Sequence, residues 1–301
     1  MILAGDIGGT STRLGLFEVR ADGVDPVRTK SYHSADFPGL DKIALTFLGN
    51  ERSQIDAACF GIAGPVRKGH VTGPNLVWEA DEAGLARELE IANVKLINDL
   101  EANAHGVAAL KREDLVTLQA GAKDAQGNCA VISVGTGLGE AGMYWNGRAH
   151  LPFACEGGHA DFAPRNELES ELLTFLHSKF ERVSYERVLS GNGQQLLYEF
   201  LRDVKKRPET SSVAEKMRSD NPAAVITRAG LAGECKLCAE ALDWYVSLYG
   251  AEAGNLALKM MAIGGVYIGG GVAPKIIQKL QEPVFLKSFL AKGRMRPLLE
   301  A

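Results

Sequence analysis

The chain has 301 residues, 46% of them hydrophobic and 23% charged. That length suits about two domains and buries enough surface for a core without disulfide or metal staples, and the composition excludes wholesale disorder. Lys and Arg total 33 against 37 Asp and Glu, a formal charge of -4, so the positive field that broad nucleic-acid binding needs is missing, while a local phosphate site stays open.

From the start of the chain, Ile2 to Asp6 reads as a short apolar strand, Gly8-Gly9 as a turn and Arg13 to Val19 as the return strand. Ile55 to Ala63 is a further strand, closed by Gly64-Pro65. Asp81 caps a predicted helix that runs to Leu89. Val94 to Ile97 is a compact buried strand ending at Asn98-Asp99, and a helix follows from Leu100 to near Leu110. This mixture predicts an α/β layer design. The polar stretch Asp114 to Asn128 marks a boundary, giving a smaller α/β domain over 1–112 and a larger α+β domain over 113–301.

After the boundary the pattern restarts. Ala130 to Val134 is apolar, Gly135 to Gly139 is glycine-rich and Ala141 to Trp145 can pair back, which suggests two structurally related units. Helical stripes follow at Leu168, Leu172, Leu173 and Leu176, at Leu196, Leu197, Phe200 and Leu201, and from Leu242 to Met260; all read as core. Gly264 to Ile268 is a strand, Gly269-Gly270-Gly271 follows it, and Pro274 opens a helix.

No segment reads as transmembrane: the weakly polar run Met260 to Ala273 is short and carries five glycines. The start lacks the basic and apolar regions of a secretory signal. Five scattered cysteines suit a reducing cytoplasm. Cys235-Lys-Leu-Cys238 has metal or redox spacing but no second pair, and reads as two cysteines one turn apart on or near a helix.

Three glycine turns carry the chemistry. In Asp6-Ile7-Gly8-Gly9-Thr10, residues without side chains let backbone N–H groups approach a phosphate, Thr10 adds a hydroxyl, and Asp6 is placed to hold Mg²⁺ through water. Alone, this is also an ordinary hairpin turn. Gly135-Thr136-Gly137-Leu138-Gly139 repeats the logic and matches neither a dinucleotide fingerprint nor a P-loop. Gly269-Gly270-Gly271 before a helix lets a base or ribose lie against backbone.

Leu96-Ile97-Asn98-Asp99 puts a carboxylate at a strand end. A carboxylate there can act as a general base toward an attacking hydroxyl, and Asp99 suits that role; the competing reading, which spacing alone favours, is a helix cap. Asn98 can fix a second hydroxyl. Glu156-Gly157-Gly158-His159 combines an acceptor and an imidazole on a loop that can hug a ligand, suiting a polyol; zinc is the weaker rival, for want of a nearby cysteine cluster. Glu186 is a further acid, or a surface partner of Arg187.

In this order, the three turns resemble the actin-like ATPase superfamily. With Ile97-Asn98-Asp99, Glu156-Gly157-Gly158-His159-Ala160-Asp161-Phe162-Ala163-Pro164, Glu186 to Gly191 and Gly269 to Pro274, the chain resembles the bacterial ATP-dependent glucokinases of the non-ROK type over nearly its whole length. The resemblance implies the two-domain, ribonuclease H-like sugar kinase fold with an interdomain cleft, and ATP and Mg²⁺ as cofactors. It implies Asp99 as general base for the glucose 6-hydroxyl, and Asn98, Glu156, His159 and Glu186 on the other hydroxyls. Asp6 would serve Mg²⁺. Gly8, Gly9, Thr10, Gly135, Thr136, Gly137 and Gly139 would clasp phosphates, with Gly191 and Gly269 to Gly271 near base and ribose; Asp161 would be structural. It also implies a cytoplasmic homodimer with glucose and ATP as partners and neither nucleic acid nor membrane.

Family members continue past the segment matching Ala291-Lys292-Gly293-Arg294 through a strand and a final helix, so the resemblance leaves that return segment unmatched and implies lower stability or activity without it. The competing functions are another hexose or amino-sugar kinase, a ROK-like repressor, disfavoured by the five residues before Asp6, and an actin-like or chaperone ATPase module, which would not need the Glu156/His159 pair.

Overall fold

The structure is a computed structural model that describes residues 1–20, 23–51, 54–72, 76 and 78–301. It contains two compact units, Met1–Ala109 and Leu110–Ala301.

The first unit is built on a five-stranded sheet. Its strands are β1 (Ile2–Ile7), β2 (Ser11–Arg20), β3 (Gly23–His33), β4 (Ala57–Ile62) and, after three two-residue strands β5 (Val66–Arg67), β6 (His70–Val71) and β7 (Ala80–Asp81), β8 (Asn93–Asn98). Their order is β3-β2-β1-β4-β8. The first three are antiparallel neighbours, whereas β4 and β8 join β1 in parallel. Helices α1 (Leu40–Leu48) and α2 (Glu82–Leu89) supply the crossovers that parallel pairing requires, and α3 (Asp99–Val107) follows β8. Leu3, Ile7, Leu14, Leu16 and Phe60 of the sheet bury against Ile43 and Phe47 of α1 and Leu85 and Leu89 of α2.

Asp81 caps α2 as the sequence predicts, accepting from Gly84 N at 2.7 Å. The cap of α3 falls one residue earlier than the Asp99 reading: Asn98 Oδ1 accepts from Leu100 N at 2.9 Å and Glu101 N at 3.3 Å. Asp99 is therefore the first helical residue.

The second unit has a four-stranded sheet in the order β11-β10-β9-β12, formed by β9 (Cys129–Val134), β10 (Leu138–Trp145), β11 (His150–Cys155) and β12 (Gly265–Gly269). β9 and β12 are parallel; the others are antiparallel. Its helices are α4 (Glu167–His177), α5 (Tyr185–Val188), α6 (Gly191–Asp203), α7 (Ser211–Ser219), α8 (Pro222–Leu231), α9 (Lys236–Met260), α10 (Ile277–Leu280), α11 (Pro283–Leu290) and α12 (Arg296–Glu300). The 25-residue α9 is the central rod, flanked by α6, α8 and α11. Its Leu242, Tyr245, Val246, Tyr249 and Leu256 are buried, as the helical stripe predicts. Cys235 caps it, its Sγ accepting from Cys238 N at 3.3 Å, with both thiols buried. Among the described residues no helix is long and apolar enough to cross a membrane.

Candidate functional site

In the first unit the three parallel strands end together. The register aligns Ile7 of β1 with Ile62 of β4, and Ile62 with Asn98 of β8. With strands about 4.8 Å apart, the turn after β1 and the start of α3 lie two strands, about 10 Å, from each other on one edge. This is the edge where open α/β sheets bind ligands. Gly61 makes the close packing possible: a Cβ there would meet the Ala102 Cβ at 2.8 Å and come within 3.6 Å of the Asp99 Cα. Asp99 is half-buried at the head of α3, its Oδ1 accepting from its neighbour Leu100 N at 2.8 Å. Asn98 is buried and engaged at both ends, since its Nδ2 also donates to Gly64 O at 3.2 Å. One amide hydrogen is what it has left to offer a ligand.

The first glycine turn is stiffened from below. Gly8 N donates to Ser11 O at 3.0 Å, and the buried Ser34 hydroxyl donates to Gly8 O at 2.7 Å. Ser34 Oγ also meets Thr12 Oγ1 at 3.0 Å, and Ser34 N donates to Thr10 O at 3.0 Å. Thr10 and Asp6 are exposed, and Asp6 is unpaired among the described residues. An exposed carboxylate beside a glycine turn is a donor set that fits Mg²⁺, which takes few protein oxygens and keeps its waters.

In the second unit, three predicted elements meet at the end of β9. Gly135 to Gly137 form the β9–β10 turn, with Gly135 N donating to Gly137 O at 2.9 Å and Thr136 exposed at the tip. Gly191, first residue of α6, donates its N–H to Gly135 O at 3.1 Å. Gly270 packs on Val134 with φ +85° and would place a Cβ 2.3 Å from Val134 O, so neither the space nor the backbone admits a side chain. Val272 N then donates to Val134 O at 3.1 Å. Ser190 caps α6, its Oγ accepting from Gly193 N at 3.0 Å. The strand paired with β9 begins at Leu138, so Gly139 lies within β10.

Glu156 and His159, expected on the sugar side, are carried by a turn after β11. Gly157 to His159 form one 3₁₀ turn preceded by Glu156. Glu156 Oε2 and His159 Nε2 are 3.9 Å apart, and both side chains are about half exposed, at 50% and 52%. Arg182 donates to His159 O and pairs with Asp161 at 2.7 Å, holding the turn from its outer side. Glu186 is brought to the second glycine turn: its Oε2 accepts from Leu138 N at 3.1 Å and lies 2.5 Å from where a Gly137 Cβ would be. It does not pair with Arg187, whose guanidinium sits over the Phe180 ring at 4.2 Å. Ser34, Arg182 and the buried Glu140 of β10 are the supporting residues that sequence reading missed. Each is an isolated polar residue whose meaning lies in a distant neighbour, which no local pattern announces.

The chain as a whole has known counterparts. The family model for glucokinase matches residues 3–301. The glucokinase of Nostoc punctiforme is 44% identical over 315 residues, covering 100% of this chain and 92% of the relative. The crystal structure of a glucokinase from an Antarctic psychrotroph superposes with a TM-score of 0.83 at 30% identity, over 99% of this chain and 91% of the other. A ROK family glucokinase from Streptomyces griseus, solved in complex with glucose and AMPPNP, shares the fold at TM-score 0.63 and 20% identity, over 96% and 88% of the two chains. The architecture is thus the two-domain actin-like α/β fold of the sugar kinases, and the chain belongs to the glucokinase family.

Proposed function

We propose that this chain transfers the γ-phosphoryl group of ATP to the 6-hydroxyl of D-glucose, releasing ADP and glucose 6-phosphate, with Asp99 as the general base. The observation that carries the reading is the in-register ending of β1, β4 and β8, which sets Asp99 on the same edge as the Gly8-Gly9-Thr10 turn and Asp6. A base there accepts the hydroxyl proton as the new phosphorus–oxygen bond forms, while the old bond to the ADP oxygen breaks. Asp6 would hold Mg²⁺ through water; when bound, the ion neutralises phosphate charge. The Gly8 and Gly135 to Gly139 turns serve the phosphates with backbone N–H groups and the exposed Thr10 and Thr136 hydroxyls. Gly191 and Gly269 to Gly271 lie toward base and ribose.

Glu156 and His159 hold hydroxyls of the sugar. Asn98 adds its remaining amide hydrogen. Glu186 has one oxygen on Leu138 N and leaves the other for the sugar, so it links sugar occupancy to the shape of the phosphate turn. Most of the rate enhancement then comes from positioning and charge compensation. We assign residues 1–112 to the base-bearing domain and 113–301 to the domain of the sugar and adenosine loops. We further place the enzyme in the cytoplasm, as a homodimer working in glycolysis; five free cysteines support a reducing compartment, and light scattering of the purified chain tests the dimer.

A coupled ADP assay over a panel of sugars tests the activity. Glucose is the expected best acceptor, with little ADP formed when sugar is omitted. Equal ADP release with and without sugar would reject the reading in favour of an ATPase, and a stronger response to mannose, fructose or an amino sugar would reassign the acceptor.

A further inference from the structure

The two glycines of the sugar turn rest on β10 in different ways. Gly158 lies on backbone, its ideal Cβ only 2.0 Å from Leu138 O. Gly157 lies on a side chain, its ideal Cβ only 1.8 Å from Glu140 Oε2. Glu140 is the ladder partner of Cys155, the residue before Glu156, so its head sits directly beneath the first bend of the turn. It is 1% exposed, and neither of its oxygens has an aligned hydrogen-bond partner among the described residues.

Behind Glu140 stands Glu252 of α9, which is fully buried. Glu252 Oε1 accepts from Lys259 Nζ at 3.2 Å and Oε2 from Asn255 Nδ2 at 2.7 Å. Asn255 in turn bonds the Tyr185 hydroxyl of α5 at 3.0 Å and Lys292 Nζ at 2.5 Å. The Cys155 thiol lies between the charges of Glu140 and Glu156 and feels both, while β9 sets apolar Ile132 opposite Glu140. Lys259 bonds Glu252 directly and Lys292 reaches it through Asn255, whereas no cation bonds Glu140 among the described residues; two ionised carboxylates buried side by side would leave the Glu140 charge without a bonded partner. The proton therefore stays with Glu140, in a position to be shared with Glu252. Burial first, and the Glu252 charge second, push the Glu140 carboxyl up to about 8.

We propose that Glu140, backed by Glu252, is a positioning residue for the sugar turn: an uncharged Glu140 keeps Gly157 seated on β10, and ionised Glu140 pushes away from Glu252 into Gly157 and displaces Glu156 and His159. The device makes sugar affinity, rather than phosphoryl transfer, the pH-sensitive quantity. It rests on the glucose-binding role given above to Glu156 and His159. Its sign follows from the raised proton affinity of the folded state. Stability from the protonated pair is complete below the ordinary carboxylate range and is lost as pH rises through about 8.

The test measures glucose KM and kcat at saturating MgATP between about pH 7 and about pH 9.5 for the full chain and for Glu140→Gln, whose amide is neutral throughout. The unmodified chain should show KM rising by about threefold or more across that range while kcat changes by less than about twofold. Glu140→Gln should hold its KM flat, and Glu140→Ala should raise KM at every pH. An alkaline rise in KM of the same size in Glu140→Gln overturns the proposal. Amide hydrogen exchange over residues 156–160, corrected for intrinsic pH dependence, reads the same device without turnover. Protection lost in alkali by the unmodified chain and kept by Glu140→Gln supports it, and equal loss in both contradicts it. If glucose is not phosphorylated at all, the functional reading falls while the exchange result still decides the role of Glu140.

Discussion

The two units repeat one backbone plan and fill it with different chemistry. In each, an antiparallel hairpin with a glycine turn lies beside a parallel strand: β2-β1-β4 in the first and β10-β9-β12 in the second, with β3 and β11 as the outer antiparallel strands. The first turn is braced by neutral hydroxyls, with Ser34 bonded to Gly8 O and Thr12. The second is braced by a carboxylate, Glu186 on Leu138 N, and by a helix N–H, Gly191 on Gly135 O. The larger difference is β8, the fifth strand of the first sheet, which has no counterpart in the four-stranded second sheet. It is β8 that delivers Asn98 and Asp99. The second unit instead extends its outer strand β11 into the Glu156–His159 turn. On the proposed function, two similar frames thus divide the labour: the added strand would supply the base and the added turn the grip on the sugar.

The sharpest way to break that division is at β8. Asp99→Asn preserves shape and removes the base, and should lower kcat by about 10²–10⁴-fold with a much smaller change in glucose KM. A matching loss in KM would move Asp99 from chemistry to binding. Next in size are the glycines that have no room. Gly158→Ala must displace Leu138 O and should raise glucose KM by about tenfold or more, whereas Gly270→Ala should act mainly on ATP KM by a comparable factor. Similar effects of both on both substrates would erase the assignment of separate duties within the second unit.

Glu186→Gln tests the carboxylate brace. It keeps an acceptor for Leu138 N but loses the charge, so KM for both substrates should rise by a few fold, about 1 kcal/mol each. Ser34→Ala removes the hydroxyl beneath the first turn and should destabilise the chain by about 1–3 kcal/mol in denaturant titration, with ATP KM affected more than glucose KM. Asn98→Ala removes a cap worth about 0.5–2 kcal/mol, the smallest stability change expected at either edge, and should also raise glucose KM by the loss of one hydrogen bond.

Much of this frame was legible in the residues. Short apolar runs marked β1, β4, β8, β9 and β12, alternation marked β2, a run able to pair back marked much of β10, and period-3.6 stripes marked α4, α6 and α9. The outer strands escaped notice because nothing covers them. β3 has a single half-buried residue, Tyr32, and carries Asp25 and Pro26; β11 alternates only weakly, with Leu151 and Phe153 left exposed. Without a buried face, a strand has no alternation to read. The same limit separates Asn98 from Asp99. Both residue types cap helices, and only the bonds from Leu100 N and Glu101 N to Asn98 Oδ1 show that Asn98 takes the cap and Asp99 enters the helix. Glu186 and Glu140 were opaque for a different reason: their partners, Leu138 and Glu252, lie 48 and 112 positions away along the chain, a separation that no local pattern encodes.

The most direct measurement is a ³¹P NMR time course of the purified chain with MgATP, run with and without glucose. One new phosphomonoester, assigned to the glucose 6-position and growing in step with ADP only when glucose is present, is the predicted result. Inorganic phosphate appearing at the same rate without glucose, or a phosphate ester at another carbon, would contradict a base at the end of β8 acting on the primary alcohol.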